Sequence, residues 1–159
     1  MNSAFLTWKK SIPDSKIIAP DKFFDKFKYL FWRFFTPLHP FFRDGLLALG
    51  LIKHDGRQDF LIGHISPNHK LETIVQILLA NGYGNHFIAW IDDGEILGMR
   101  YVCNFKTQYH IRFFKDGEIR GHYEYTPECY PILHMRNIGM ENRKEDFLSI
   151  LGNCVVANK

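Results

Sequence analysis

The chain reads as an α+β domain: an antiparallel four- to five-stranded meander sheet, built from two similar consecutive hairpins and packed by helices on one face. Three observations predict this. Two Asp-Gly-Glu-Ile turns, Asp93–Ile96 and Asp116–Ile119, stand 23 positions apart, each between strand-like apolar runs. Apolar residues recur at helical spacing over 21–35, 70–81 and 142–151. No low-complexity tract or linker divides the 159 residues, a length that suits one domain with its own core.

Residues 1–19 read as a loosely structured N-terminal arm with a turn at Pro13-Asp14-Ser15, and 20–159 as a single domain. Pro20-Asp21 opens a helix in which Phe23, Phe24, Phe27, Leu30, Phe31, Phe34 and Phe35 form one stripe. Lys22, Asp25, Lys26, Lys28, Tyr29, Trp32 and Arg33 fall outside it. Such a stripe ordinarily faces a core, so it is expected to cover the sheet. Tyr29 and Trp32 on the charged face keep a second reading open, in which the 21–35 helix docks a protein partner, a membrane surface or a nucleic acid.

Phe41 to Ile52 is a short apolar connector or helix, and His54-Asp55-Gly56-Arg57 a turn. Phe60 to Ile65 has the composition of a fifth strand. Leu71, Ile74, Val75, Leu78 and Leu79 make the next helix, stopped by Asn81-Gly82. Pro131 to Met135 starts a short helix, Asn142 to Leu151 forms the last one, and Val155 to Lys159 trails off.

The hairpin from Gln108 to Glu124 carries the densest reactive chemistry. A two-residue loop at Asp116-Gly117 would mix His110 and Arg112 with Ile119 and Tyr123 on one face. A three-residue loop closed by a left-handed Gly117 sorts the side chains instead. One face then holds Tyr109, Ile111, Phe113, Ile119, Tyr123 and Tyr125. The other holds Gln108, His110, Arg112, Phe114, Glu118, Arg120, His122 and Glu124. This register sets His110 opposite His122, Arg112 opposite Arg120 and Gln108 opposite Glu124.

Shifted by 23 positions, the earlier hairpin places Phe87, Ala89, Leu97, Met99 and Tyr101 where the later one has His110, Arg112, Arg120, His122 and Glu124. An apolar wall beside the polar face is expected from that comparison.

Two opposed arginines imply an anion between them or wide splaying into water. The polar face of this hairpin points to a small soluble anion-binding module, with a nucleic acid or a protein as its partner. Arg112, Arg120 and Gln108 grip a nucleic acid or other anionic partner, and an exposed Phe114 stacks. The alternative is a hydrolase or phosphoesterase-like enzyme on an anionic substrate, using His110, His122 and Glu124 as acid–base groups. Two-histidine phosphoesterases carry a hydroxyl residue two positions after each histidine, where this chain has Arg112 and Glu124. His110, His122 and Glu124 are also the weaker metal-ligand alternative, opposed by the neighbouring arginines. The plain alternative is a solvated face on which Glu118 and Glu124 neutralise the arginines diagonally. No cofactor follows from the sequence.

The net charge of +3 permits an anionic partner without demanding one. Cys103, Cys129 and Cys154 are odd in number and lack a Cys-x-x-Cys pair, which indicates free thiols in a reducing compartment. No secretory leader is visible, and no apolar run approaches the roughly 20 residues of a bilayer span, so a cytoplasmic protein is expected.

Overall fold

The computed structural model describes residues 3–35, 38–51, 61–86, 93–130 and 144–157. Within them the fold is α+β, with an antiparallel sheet of six strands at its centre. In chain order the elements are α1 (Ser3–Ser11), α2 (Phe23–Phe35), α3 (His39–Ala48), β1 (Leu61–Ile65) and α4 (Leu71–Ala80). There follow β2 (Gly84–Asn85), β3 (Glu95–Val102), β4 (Thr107–Phe114), β5 (Glu118–Tyr125), α5 (Lys144–Leu151) and β6 (Val155–Ala157). The strand order is β2-β3-β4-β5-β1-β6, so β3, β4 and β5 form the meander.

The β4–β5 register is the one that separates apolar from polar side chains. His110 pairs with His122, Arg112 with Arg120, Gln108 with Glu124 and Phe113 with Ile119. Gly117 takes φ +88°, a left-handed conformation that glycine adopts without steric cost. The Gly117 amide donates to the Phe114 carbonyl at 3.1 Å, and the Asp116 carboxylate accepts from the Glu118 amide at 3.0 Å. The apolar face of the sheet packs on α4 and α5. Ile111, Phe113, Ile119, Leu97 and Met99 meet Ile74, Val75, Leu78, Phe147 and Leu151 in one buried cluster. Helix α4 ends as expected, with Gly82 at φ +83° and the Tyr83 amide reaching back to the Leu78 carbonyl. Burial pushes the Tyr83 phenol well above its ordinary range, so it stays protonated.

Four expectations are corrected. Residues 3–19 are not a loose arm. Helix α1 fills 3–11, Ile12 joins the core, and Asp14 bridges Asn85 in parallel, covering the β2 edge. Val155–Ala157, expected to trail off, forms β6 on the edge beside β1. A three-residue strand is too short to show periodicity. Gly63 admits it, because a Cβ there would come within 2.3 Å of the Val156 carbonyl oxygen.

Third, the 23-residue comparison misplaces the sides of β3. The link after Val102 sets Met99 opposite Ile111 and Arg100 opposite His110, and a bulge between Glu95 and Leu97 shifts the pairing. Leu97, Met99 and Tyr101 therefore share the face of Ile111, while Gly98 and Arg100 stand beside the polar residues. Phe87 and Ala89, the 54–57 turn and the 131–135 helix lie outside the described residues.

Fourth, the Phe stripe of α2 does not cover the sheet. Phe23, Phe24, Phe27, Leu30, Phe31 and Phe34 are 51–80% exposed, and Trp32 is the buried residue of the helix. Tyr29 meets the Phe105 ring edge-on, and the Lys28 ammonium lies 5.0 Å over the Tyr130 ring. The aromatic residues on the charged face are thus the ones that seat the helix.

Gly84 is a checkable contact. A Cβ there would meet the Ser15 backbone nitrogen at 2.4 Å. Gly84→Ala is expected to cost about 1–3 kcal/mol by forcing the Ser15 segment off β2, read as a lowered midpoint in urea unfolding.

Candidate metal centre

The polar face is neither solvated nor open. Gln108, His110, Arg112, His122 and Glu124 are all buried, joined by Glu95 and Arg100 from β3 and by Glu128 beyond β5. A charge buried this way is costly unless it is paired and hydrogen-bonded. The described residues show how that is met.

Arg100 is held on three sides. Its Nε donates to Ser15 Oγ, one Nη to Gln108 Oε1 at 2.8 Å, and the other to Glu128 Oε1 at 2.7 Å. Gln108 in turn donates through Nε2 to Glu124 Oε1 at 2.7 Å. The second Glu124 oxygen meets His122 Nε2 at 2.9 Å, and His110 Nδ1 lies 3.7 Å from the first. Glu124 is thus the meeting point of β3, β4 and β5.

The opposed arginines resolve without an external anion between them. Arg112 donates to Glu95 Oε2 through Nε at 2.9 Å and through an Nη at 2.7 Å. Arg120 donates to Glu118, its neighbour two positions back on the same face. Phe114 lies beneath both guanidinium groups, with centroid distances of 4.2 Å to Arg120 and 5.5 Å to Arg112. It is 4% exposed, so its ring is stacked by arginine within the fold and not presented outward as expected.

The structure adds a residue that the sequence reading passed over. His86 follows β2, and its amide donates to the Gly98 carbonyl at 3.2 Å, which places it on the polar side beside β3. Gly98 has no side chain to intervene, and His86 reaches across to His110. The rings meet edge to face at 4.5 Å, with His86 Nδ1 3.2 Å from His110 Nε2. Two nitrogens at that distance share one proton, one ring donating to the other, or share a cation.

His86, His110 and Glu124 each offer a ligand atom, and the three atoms lie within 4.8 Å of one another. Two ligands held at about 2.0–2.1 Å in tetrahedral geometry stand roughly 3.3 Å apart, close to the observed nitrogen separation. This grouping shares His110 and Glu124 with the sequence-based set and has His86 where that set has His122. His122 sits 5.0 Å from the His110 ring and bonds the carboxylate, an orienting position. His86 was missed because it lies two strands from His110, a distance that no hairpin pattern spans. Glu95 was missed because turn chemistry explains an acidic residue after Asp-Gly. No family model, no curated protein and no solved structure matches this chain.

The thiols take no part in this centre. Cys129 is buried, and burial pushes its thiol upward, away from the reactive thiolate. Cys103 is the most accessible of the three, so native alkylation is expected at Cys103 first, with Cys129 and Cys154 labelled only on unfolding; peptide mass mapping reads the order.

Arg100→Met leaves Glu128 buried beside a neutral side chain and is expected to cost about 3–5 kcal/mol, most of it recovered in Arg100→Met/Glu128→Leu. A double-mutant cycle in urea measures the difference.

Proposed function

We propose that the polar layer binds one divalent transition-metal ion, zinc or ferrous iron, through His86, His110 and Glu124. One observation carries this reading: two imidazoles and a carboxylate, brought from the residue after β2 and from β4 and β5, bury ligand atoms within 4.8 Å of one another. Two histidines and a carboxylate form a recognised three-ligand set for both ions.

Charge supports it. Among the described residues of the layer, Arg100 and Arg112 face Glu95, Glu124 and Glu128, one carboxylate in excess. A cation at Glu124 offsets that excess, which a buried carboxylate requires. Three protein ligands leave a coordination position for water or substrate, as in catalytic sites, whereas structural zinc sites close with four. The reading is therefore a metal-dependent enzyme. A divalent ion turns the layer net positive, which favours an anionic substrate. His122 would hold Glu124 in the orientation that ligation needs.

Direct capture of a nucleic acid by Arg112 and Arg120 is supported less. Both guanidiniums are committed to carboxylates, and Arg112 is buried. Separating the buried Arg112 from Glu95 would cost more than a phosphate contact returns at an exposed site.

Elemental mass spectrometry after zinc reconstitution and desalting tests the proposal. About one equivalent is expected in the wild type and little in His86→Ala or His110→Ala. His122→Ala is expected to keep the stoichiometry with affinity lowered about 10–100-fold. Circular dichroism of the metal-free variants separates lost ligation from lost folding. A folded wild type that retains no zinc or iron would overturn the reading, as would full retention by folded His86→Ala.

A further inference from the structure

The exposed aromatic face of α2 and α3 has no role in the polar layer. Phe23, Phe24, Phe27, Leu30, Phe34 and Phe41 are each 64–80% exposed. The two helices form one surface, because Phe31 stacks on Phe35 at 4.9 Å and Phe35 meets Phe42 at 5.1 Å. With side chains of this size the apolar area is on the order of 1,000 Å², beyond the largest patch of an ordinary soluble monomer.

We infer that this face lies on an anionic lipid surface. The charges around it give the reason. Lys26 and Arg33 share one edge of the Phe stripe, with Lys22 at its start, and all three are exposed. Lys28 stands at the opposite edge, its ammonium directed back to Asp25 and the Tyr130 ring. Asp25 is turned toward the body and lies 3.5 Å from Lys28. An apolar stripe edged by cations is the arrangement of a helix lying in the headgroup boundary, with Phe and Leu in the acyl region and Lys and Arg at the phosphates.

Spanning is excluded by size. The 13 residues of α2 reach about 20 Å, short of the roughly 30 Å hydrocarbon core. No described helix is long and apolar enough to cross a membrane. A second copy fits less well. In a two-fold contact through this face, the Lys26/Arg33 edge of one protomer meets either the same edge or the Lys28 edge of its partner. Where the two Lys26/Arg33 edges meet, cations face cations, and Asp25, the acidic residue within α2, is already held by Lys28; where that edge meets the Lys28 edge, it meets an ion pair already formed.

Flotation with vesicles tests the inference. The full chain is mixed with phosphatidylcholine vesicles and with vesicles made half of phosphatidylglycerol. Wild type is expected to float with the anionic vesicles. Lys22→Gln/Lys26→Gln/Arg33→Gln is expected to weaken that binding about 100-fold, and Phe27→Glu/Phe34→Glu to abolish it. These side chains are exposed, so the variants are expected to keep the wild-type circular dichroism. Wild type left unbound would sink the inference, as would binding that survives the Phe substitutions. A lipid-free dimer that Phe27→Glu/Phe34→Glu converts to monomer, with no flotation, assigns the face to a second copy instead. None of these outcomes depends on metal at His86.

Discussion

A carboxylate buried in the middle of a sheet must be compensated, and the rest of this fold is arranged around that requirement at Glu124. It is reached by Gln108 and His110 from β4 and by His122 on its own strand. Those partners converge only in one register of the β4–β5 hairpin. A slip by one residue would carry Glu124, His122 and Arg120 into the apolar cluster beneath Ile111 and Phe113. The left-handed Gly117 is thus linked to the chemistry of the sheet, since its turn sets the count of residues that aligns His110 with His122.

The sheet is buried on both faces, and the faces are stabilised differently. One is an apolar layer under α4 and α5, where burial itself drives packing. The other holds fixed charges, for which burial opposes folding. Apolar residues of similar volume would pack there at less cost. Arg100 answers the cost by spreading its donors over Ser15, Gln108 and Glu128, so three chain segments close on one guanidinium. An expensive layer of this kind is explained by function more readily than by stability, in keeping with the metal site proposed at its centre.

What was legible in the sequence follows from the range of each signal. The β4–β5 pairing has a period of two and an Asp-Gly turn between its strands, so its register and both faces are readable locally. The side that β3 presents depends on the bulge near Glu95 and the short link after Val102, and neither leaves a periodic mark. His86 joins the site only once β3 lies between it and β4, a relation of sheet order and not of spacing. The Phe stripe of α2 was legible as a stripe but not as a direction. Periodicity shows that a helix has two faces, and the usual assumption assigns the apolar one inward. Tyr29 and Trp32 carried the contrary signal, because large aromatic rings among lysines have a purpose only if something packs on them.

The outward turn of α2 and the polar layer are joined through one short segment. Helix α2 rests on Phe105 through Tyr29 and on Tyr130 through Lys28. Thr126 ties these supports together, its hydroxyl donating to the Phe105 carbonyl and its carbonyl accepting from the Tyr130 amide. Glu128 lies between Thr126 and Tyr130 and clamps Arg100. The 126–130 segment that helps seat the aromatic helix therefore also carries the carboxylate that pairs with Arg100. The surface face and the candidate metal centre are separate in chemistry, but they share the 126–130 segment as their support.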